Sequence, residues 1–222
     1  MSRLSEDIKK DVVDQLYWDD RINASKVNID VSEDGKVSLN GTVPHYRARD
    51  AAEQDAWSVA GVSSVENNLS VEFPETFTVP TDEDIKSNVE TSLLLNDDID
   101  SSEIDVSVVG GVVTLEGEID AYWKKIKAEN LTSETSGVIS VRNKLSIVPT
   151  ESVVDESIAD SITSSIDRSF EVSVDDVTVK VKNGVVTLLG TVPDWNAYDA
   201  AMDAARYTAG VTDIKDELII ES

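Results

Sequence analysis

The sequence predicts an α+β protein built from three tandem α-β-β-α-β two-layer sandwiches. Each unit places two helices on one face of a three-stranded mixed sheet. Three observations carry this. One phrase recurs three times: Gly35-Lys-Val-Ser-Leu-Asn-Gly41-Thr-Val, Gly111-Val-Val-Thr-Leu-Glu-Gly117-Glu-Ile and Gly184-Val-Val-Thr-Leu-Leu-Gly190-Thr-Val. Twenty residues after the second glycine of each copy, a second phrase begins at Gly61, Gly137 and Gly210. A fixed spacing between two repeated phrases is the mark of an internal repeat. Within each copy, hydrophobic periodicity switches from helical to extended and back again.

The elements follow in order. Each unit opens with apolar residues at i, i+4 and i+8: Ile8/Val12/Leu16, Ile85/Val89/Leu93 and Ile158/Ile162/Ile166. That spacing makes one stripe on a helix. Ser5 and Thr81 stand where N-caps belong, with acids in the following turn. Strict alternation comes next, at Val27/Ile29/Val31, Ile104/Val106/Val108 and Val177/Val179/Val181, which is a strand with one buried face. Asp34-Gly35, Gly110-Gly111 and Asn183-Gly184 are hairpin-turn chemistry. The second strand carries Val37/Leu39, Val113/Leu115 and Val186/Leu188, and the second glycine is expected to close it. A second helix is predicted over about 46–60, 121–136 and 195–209. In units one and three its alanines (Ala48, Ala51, Ala52, Ala56; Ala197, Ala200, Ala201, Ala204, Ala205) allow close approach to the sheet. Gly61, Gly137 and Gly210 fall where C-cap glycines belong. The third strand runs through Val65/Leu69/Val71, Val141/Leu145/Ile147 and Ile214/Leu218/Ile220. With both helices on one sheet face, the unit is a two-layer sandwich.

The two phrases together resemble the BON domain, a bacterial module named for osmotic-shock and nodulation proteins. The resemblance covers essentially the whole chain as three copies. It implies the α-β-β-α-β fold, a tie to osmotic or envelope stress, and a phospholipid-binding or transport-associated role. It implies no catalytic residue, because the shared positions are glycines and core aliphatics. The sequence divides into units at 1–73, 81–149 and 150–222. A Pro-bounded linker, 74–80, lies between the first two, and Pro149-Thr150-Glu151-Ser152 joins the last two. Both connections are short, so the three units are expected to stack rather than tumble.

Composition excludes several classes of function. The chain has 222 residues, no Cys, one His and a net charge of −25. Lack of Cys removes thiol catalysis, disulfides and iron–sulfur clusters. A single imidazole, His45, cannot make a two-histidine metal site. There is no phosphate-binding glycine loop and no nucleophile elbow, so no enzyme and no cofactor is expected. The charge runs against nucleic acid, which is held by neutralising phosphates, and the three units carry about −6, −8 and −10, so none is basic. The surplus of acid suits solubility; the excess of Asp over Glu and the scarcity of Lys also suit a high-salt setting. Acid clusters at Asp19-Asp20 and Asp97-Asp98-Ile99-Asp100 lack the spacing of a calcium loop and read as solvated helix ends. No apolar run is long enough to span a bilayer and no signal peptide is visible. Taking the chain as complete, it is placed in the cytoplasm; with a leader removed, the periplasm is the alternative.

Two contact sites remain as candidates. Tyr122, Trp123, Lys124, Lys125 and Lys127 form a basic, aromatic start to the second helix of unit two. Such a surface suits a membrane interface or an acidic protein. Tyr46, Tyr122 and Trp195 share one repeat position, which also suits a packing role. On the uncovered sheet face of unit three, Leu189 and Ile219 break the polar pattern and are candidates for an interdomain or subunit contact. Trp18 and Trp57 have no aromatic counterparts in the other units and are expected to cap the core of unit one, the alternative being a place between units. The expected partner is a protein or a second copy; the alternative is a phospholipid surface.

Overall fold

A computed structural model describes residues 4–221. It contains six α-helices and three separate three-stranded sheets. Unit one comprises α1 (Ser5–Trp18), β1 (Val27–Val31), β2 (Lys36–Val43), α2 (Tyr46–Trp57) and β3 (Ser64–Val71). Unit two comprises α3 (Asp82–Leu94), β4 (Ile104–Val109), β5 (Val112–Ile119), α4 (Tyr122–Ser133) and β6 (Ser140–Ile147). Unit three comprises α5 (Asp155–Arg168), β7 (Val177–Lys182), β8 (Val185–Val192), α6 (Trp195–Arg206) and β9 (Asp213–Ile220). The middle strand of each sheet pairs antiparallel with the first and parallel with the third. A parallel return needs a crossover, and the second helix supplies it.

The predicted stripes are the cores. Ile8/Val12/Leu16, Ile85/Val89/Leu93 and Ile158/Ile162/Ile166 are all buried, as are Val37/Leu39, Val113/Leu115 and Val186/Leu188. Ala48, Ala52 and Ala56 of α2, and Ala197, Ala201 and Ala205 of α6, are fully enclosed against their sheets.

Several local expectations are corrected. Thr81 is an N-cap with a full capping box to Asp84, but Ser5 is not a cap. It is the first helical residue, preceded by extended Leu4 with no side-chain cap. Its repeat counterparts are Asp82 and Asp155, and these do a different job. Asp82 accepts hydrogen bonds from Gly110 N at 2.7 Å and Gly111 N at 2.9 Å. Asp155 accepts from Asn183 N at 2.8 Å and Gly184 N at 2.9 Å. In both units the start of the first helix thus holds the hairpin, satisfying two amides that face away from the ladder. In unit one the connection is the four-residue loop Ser32–Gly35 instead of a two-residue turn, closed by Ser32 N donating to Lys36 O.

The second glycine does not end its strand. β2, β5 and β8 run two residues beyond Gly41, Gly117 and Gly190. Each glycine lies where the carbonyl just before the first strand comes close: an added Cβ would sit 1.9–2.1 Å from Lys26 O, Glu103 O or Asp176 O. The second helices stop at Trp57, Ser133 and Arg206, three residues short of the predicted ends. Gly61, Gly137 and Gly210 therefore do not cap them but lie in the turn that enters the third strand.

Candidate interaction site

The three second helices meet head to tail. Tyr46, Tyr122 and Trp195 are each the first residue of their helix. Tyr46 lines the cleft against 133–138 of unit two, and its hydroxyl lies in the field of Glu129. Tyr122 packs on the core of unit three, near Arg206 and Asp213. Trp195 stacks on Trp57, the last residue of α2, with ring centroids 4.3 Å apart and an interplanar angle of 15°. Tyr198 continues the stack on Trp195 at 4.8 Å. Unit one thus contacts two, two contacts three, and three returns to one. The shared aromatic position is a packing position between units.

Trp57 takes the place between units, packing on the cores of both unit one and unit three. Trp18 does not cap the core: it is 80% exposed, with its ring edge-on to Tyr17.

The basic cluster of unit two is largely spent inside the molecule. Lys124 pairs with Asp120 at 2.8 Å, and Lys127 pairs with Asp98. Both ammoniums lie over the Trp123 ring, at 5.7 and 5.9 Å from its centroid. All of 122–127 is partly buried. Lys125 presents its backbone carbonyl to Asn143 Nδ2.

That bond belongs to a feature the sequence did not signal as polar work. The Asx of the second phrase is Asn67, Asn143 and Asp216, on the third strand. Asn67 Nδ2 donates to Arg49 O at 3.0 Å and to Glu53 at 2.9 Å. Asn143 repeats this with Lys125 O and Glu129. In unit three Asp216 accepts from the Tyr198 hydroxyl at 2.5 Å. Burial first and this carboxylate second push the Tyr198 phenol well above its usual range. Each Asx also accepts from the backbone N–H two residues on. The side chain ties the second helix to the edge strand, so it is structural.

The contact between units one and two carries an electrostatic cost. Burial raises the Asp50 carboxyl to about 6; Arg49 opposes this, and Glu53 and Glu129 add to it. Arg49 lies 3.9 Å away. A folded value above the ordinary 3.8 means that protonation favours the folded state. That stabilisation is complete below 3.8 and is lost as pH rises through about 6. Asp50→Asn is therefore expected to stabilise the protein at pH 7 by about 1 kcal/mol, after allowing for solvent screening of a partly exposed group. The gain should vanish near pH 4. Thermal unfolding of both proteins across this range checks it, and an equal shift at every pH would contradict it.

Leu189 is half-buried on the outer face of sheet three, between Thr178 and Glu217, while Ile219 is 64% exposed beside Thr191. The two lie on one face, away from the helices.

A repeated α-β-β-α-β sandwich, with its motif glycines and aliphatics used for packing, defines a protein of tandem α+β modules. The chain belongs to the BON domain family: the family model matches residues 5–72, 81–149 and 154–222. It is 32% identical over 130 residues to osmotically-inducible protein Y of Escherichia coli (strain K12), covering 57% of this chain and 65% of that protein. The chain thus matches just under two thirds of that relative's length. It is 34% identical over 119 residues to an uncharacterized protein in the gshII 5' region of Anaplasma centrale, covering 53% of this chain and 78% of that one. A solved structure of the C-terminal domain of CdsD, a structural protein of the Chlamydia trachomatis type III secretion system, aligns over 97% of this chain at 15% identity. Its TM-score is 0.28 and carries no argument.

Proposed function

We propose that this protein is a non-catalytic scaffold that works through protein–protein contacts, in osmotic or envelope stress. The stress link rests on the likeness to the osmotically inducible relative. The contact reading rests on one observation. The first helices end in large exposed apolar side chains: Tyr17 and Trp18, Leu94 and Leu95, and Phe170 just past α5, each 71–97% exposed. Tyr17/Trp18 and Leu94/Leu95 occupy the same repeat positions. Exposed apolar groups clustered at repeated sites mark interaction surfaces. Each is flanked by acids: Asp19-Asp20, Asp97-Asp98, and Asp167 with Glu171. Such tips suit a partner with an apolar patch rimmed by Lys or Arg, and they are repelled by anionic lipid.

Peripheral phospholipid binding through Lys124, Lys125 and Lys127 is the alternative. It is weakened because two of the three lysines already hold carboxylates. A photo-crosslinking residue placed at 18, 95 or 170 is expected to capture one and the same protein species in cells. Anionic vesicles are expected not to sediment the purified protein at physiological salt. Lipid adducts alone, together with vesicle binding lost on charge reversal at Lys124, Lys125 and Lys127, would reverse the order of the two readings.

A further inference from the structure

Unit three has the largest acidic surplus, yet all three of its lysines lie on one surface. Lys180 is in register with Thr187, and Thr187 with Lys215, so the two lysines flank a threonine across three adjacent strands. Lys182 is two residues further along β7, on the same face and in the row of Val185 and Asp213. All three lysines are exposed. Neighbouring strands lie about 4.8 Å apart and same-face residues about 7 Å apart, so the three ammoniums bound a patch some 10 Å across.

On the other two sheets most cations of this face are paired. On sheet one Lys36 pairs with Glu66 at 2.7 Å and Lys26 with Glu72 at 3.2 Å. On sheet two Lys144 pairs with Glu116 at 2.8 Å across adjacent strands, and Arg142 has no ion pair among the described residues. In sheet three the Glu116 position is Leu189 and the Lys144 position is Glu217. The cross-strand ion pair of sheet two is thus absent at these positions, with an aliphatic side chain on the central strand and a glutamate on the third. No ion pair involves Lys180, Lys182 or Lys215 among the described residues. The face also carries Asp213 and Glu217, which leaves it one positive charge in surplus on a unit of about −10. The lysines gather at one end of the face, with exposed Ile219 and half-buried Leu189 toward the other.

We propose that the outer face of sheet three docks an acidic amphipathic polypeptide segment, its carboxylates on Lys180, Lys182 and Lys215 and its apolar side chains on Leu189 and Ile219. The occupant follows from charge complementarity: the acidic surplus elsewhere repels acid, and among the described residues this face gathers three lysines without an ion pair beside aliphatic surface. The site is separate from the helix tips of the preceding proposal, and its partner chemistry is the opposite one.

The test is fluorescence anisotropy of the full chain with a labelled synthetic helical peptide, glutamates along one half and leucines along the other. Binding is expected at low salt, weaker at physiological salt, and reduced at least about tenfold in Lys180→Glu/Lys215→Glu. Ile219→Asp should also weaken it, whereas Lys125→Glu and the tip variant Trp18→Ser/Leu95→Ser should bind as the parent does. All these positions are at least partly exposed, so the variants should keep the parent's circular dichroism and unfolding midpoint. No binding of the peptide at millimolar concentration, or equal binding by the double lysine variant, would overturn the assignment. So would inorganic polyphosphate displacing the peptide from a face indifferent to Ile219→Asp, since that is a general anion patch.

Discussion

Replacing Gly190 by alanine is expected to unfold unit three at a denaturant concentration where the other two units remain folded. The backbone at Gly190 has φ +145°, a conformation that residues with a Cβ rarely adopt. An ideal Cβ would lie 1.9 Å from Asp176 O and 3.0 Å from its carbonyl carbon. Neither atom belongs to a side chain that can swing away. Relief requires moving the segment before β7 away from β8, and with it the pairing of Val177 with Gly190. Strain and lost pairing together are expected to cost about 3–5 kcal/mol. Gly117→Ala should do the same to unit two, where Glu103 O is 1.9 Å from the added atom. Gly110→Ala is the control. It also has positive φ, +57°, but an added Cβ meets nothing within 4 Å, so about 1 kcal/mol is expected. Urea unfolding followed by far-ultraviolet circular dichroism reads all three. A Gly190→Ala midpoint no lower than that of Gly110→Ala would refute the close-approach account.

Trp57→Ala is expected to detach unit one from unit three without unfolding either. The indole joins both cores and stacks on Trp195. A fully buried tryptophan costs about 3–5 kcal/mol on truncation; Trp57 is half-buried, so about 2–3 kcal/mol is expected. The loss falls on docking, because α2 keeps Ala48, Ala52 and Ala56 against its own sheet. Small-angle scattering should show a larger radius of gyration, and the unfolding transition should lose cooperativity. A cycle with Trp195→Ala should give a coupling of about 1 kcal/mol, the range for stacked aromatic pairs. Trp18→Ala, at an exposed position, should change neither readout. An unchanged radius in Trp57→Ala would mean that the ring is held by other contacts.

How legible the fold was depended on how local each decision is. Ile8/Val12/Leu16 and Val27/Ile29/Val31 announce helix and strand because a stripe or an alternation must be buried on one side. Thr81 was recognisable as a cap because Asp84 completes its box within one turn. Ser5 has the same chemistry, but its backbone is already helical. Gly117 was legible as special but not as to why, since Glu103 O approaches it from a segment fourteen residues earlier. The clamp from Asp82 to Gly110 and Gly111 spans about thirty residues and leaves no periodic trace. Among the candidate contact residues, Tyr122 was readable as a shared position. That Lys127 is already paired was not: Asp98 reaches it from another element.

The sequence by itself determined the number of units, their order of elements and their cores, because hydrophobic period and turn chemistry act over a few residues. It also determined the family and the overall acidity. Only the tertiary structure decided how the units meet, with Trp57 of the first against Trp195 of the third, 138 residues away in the chain. It likewise decided that Lys180 and Lys215 stand on either side of Thr187. Strand register and unit docking are set by the summed fit of many side chains, and no short stretch of sequence carries that sum.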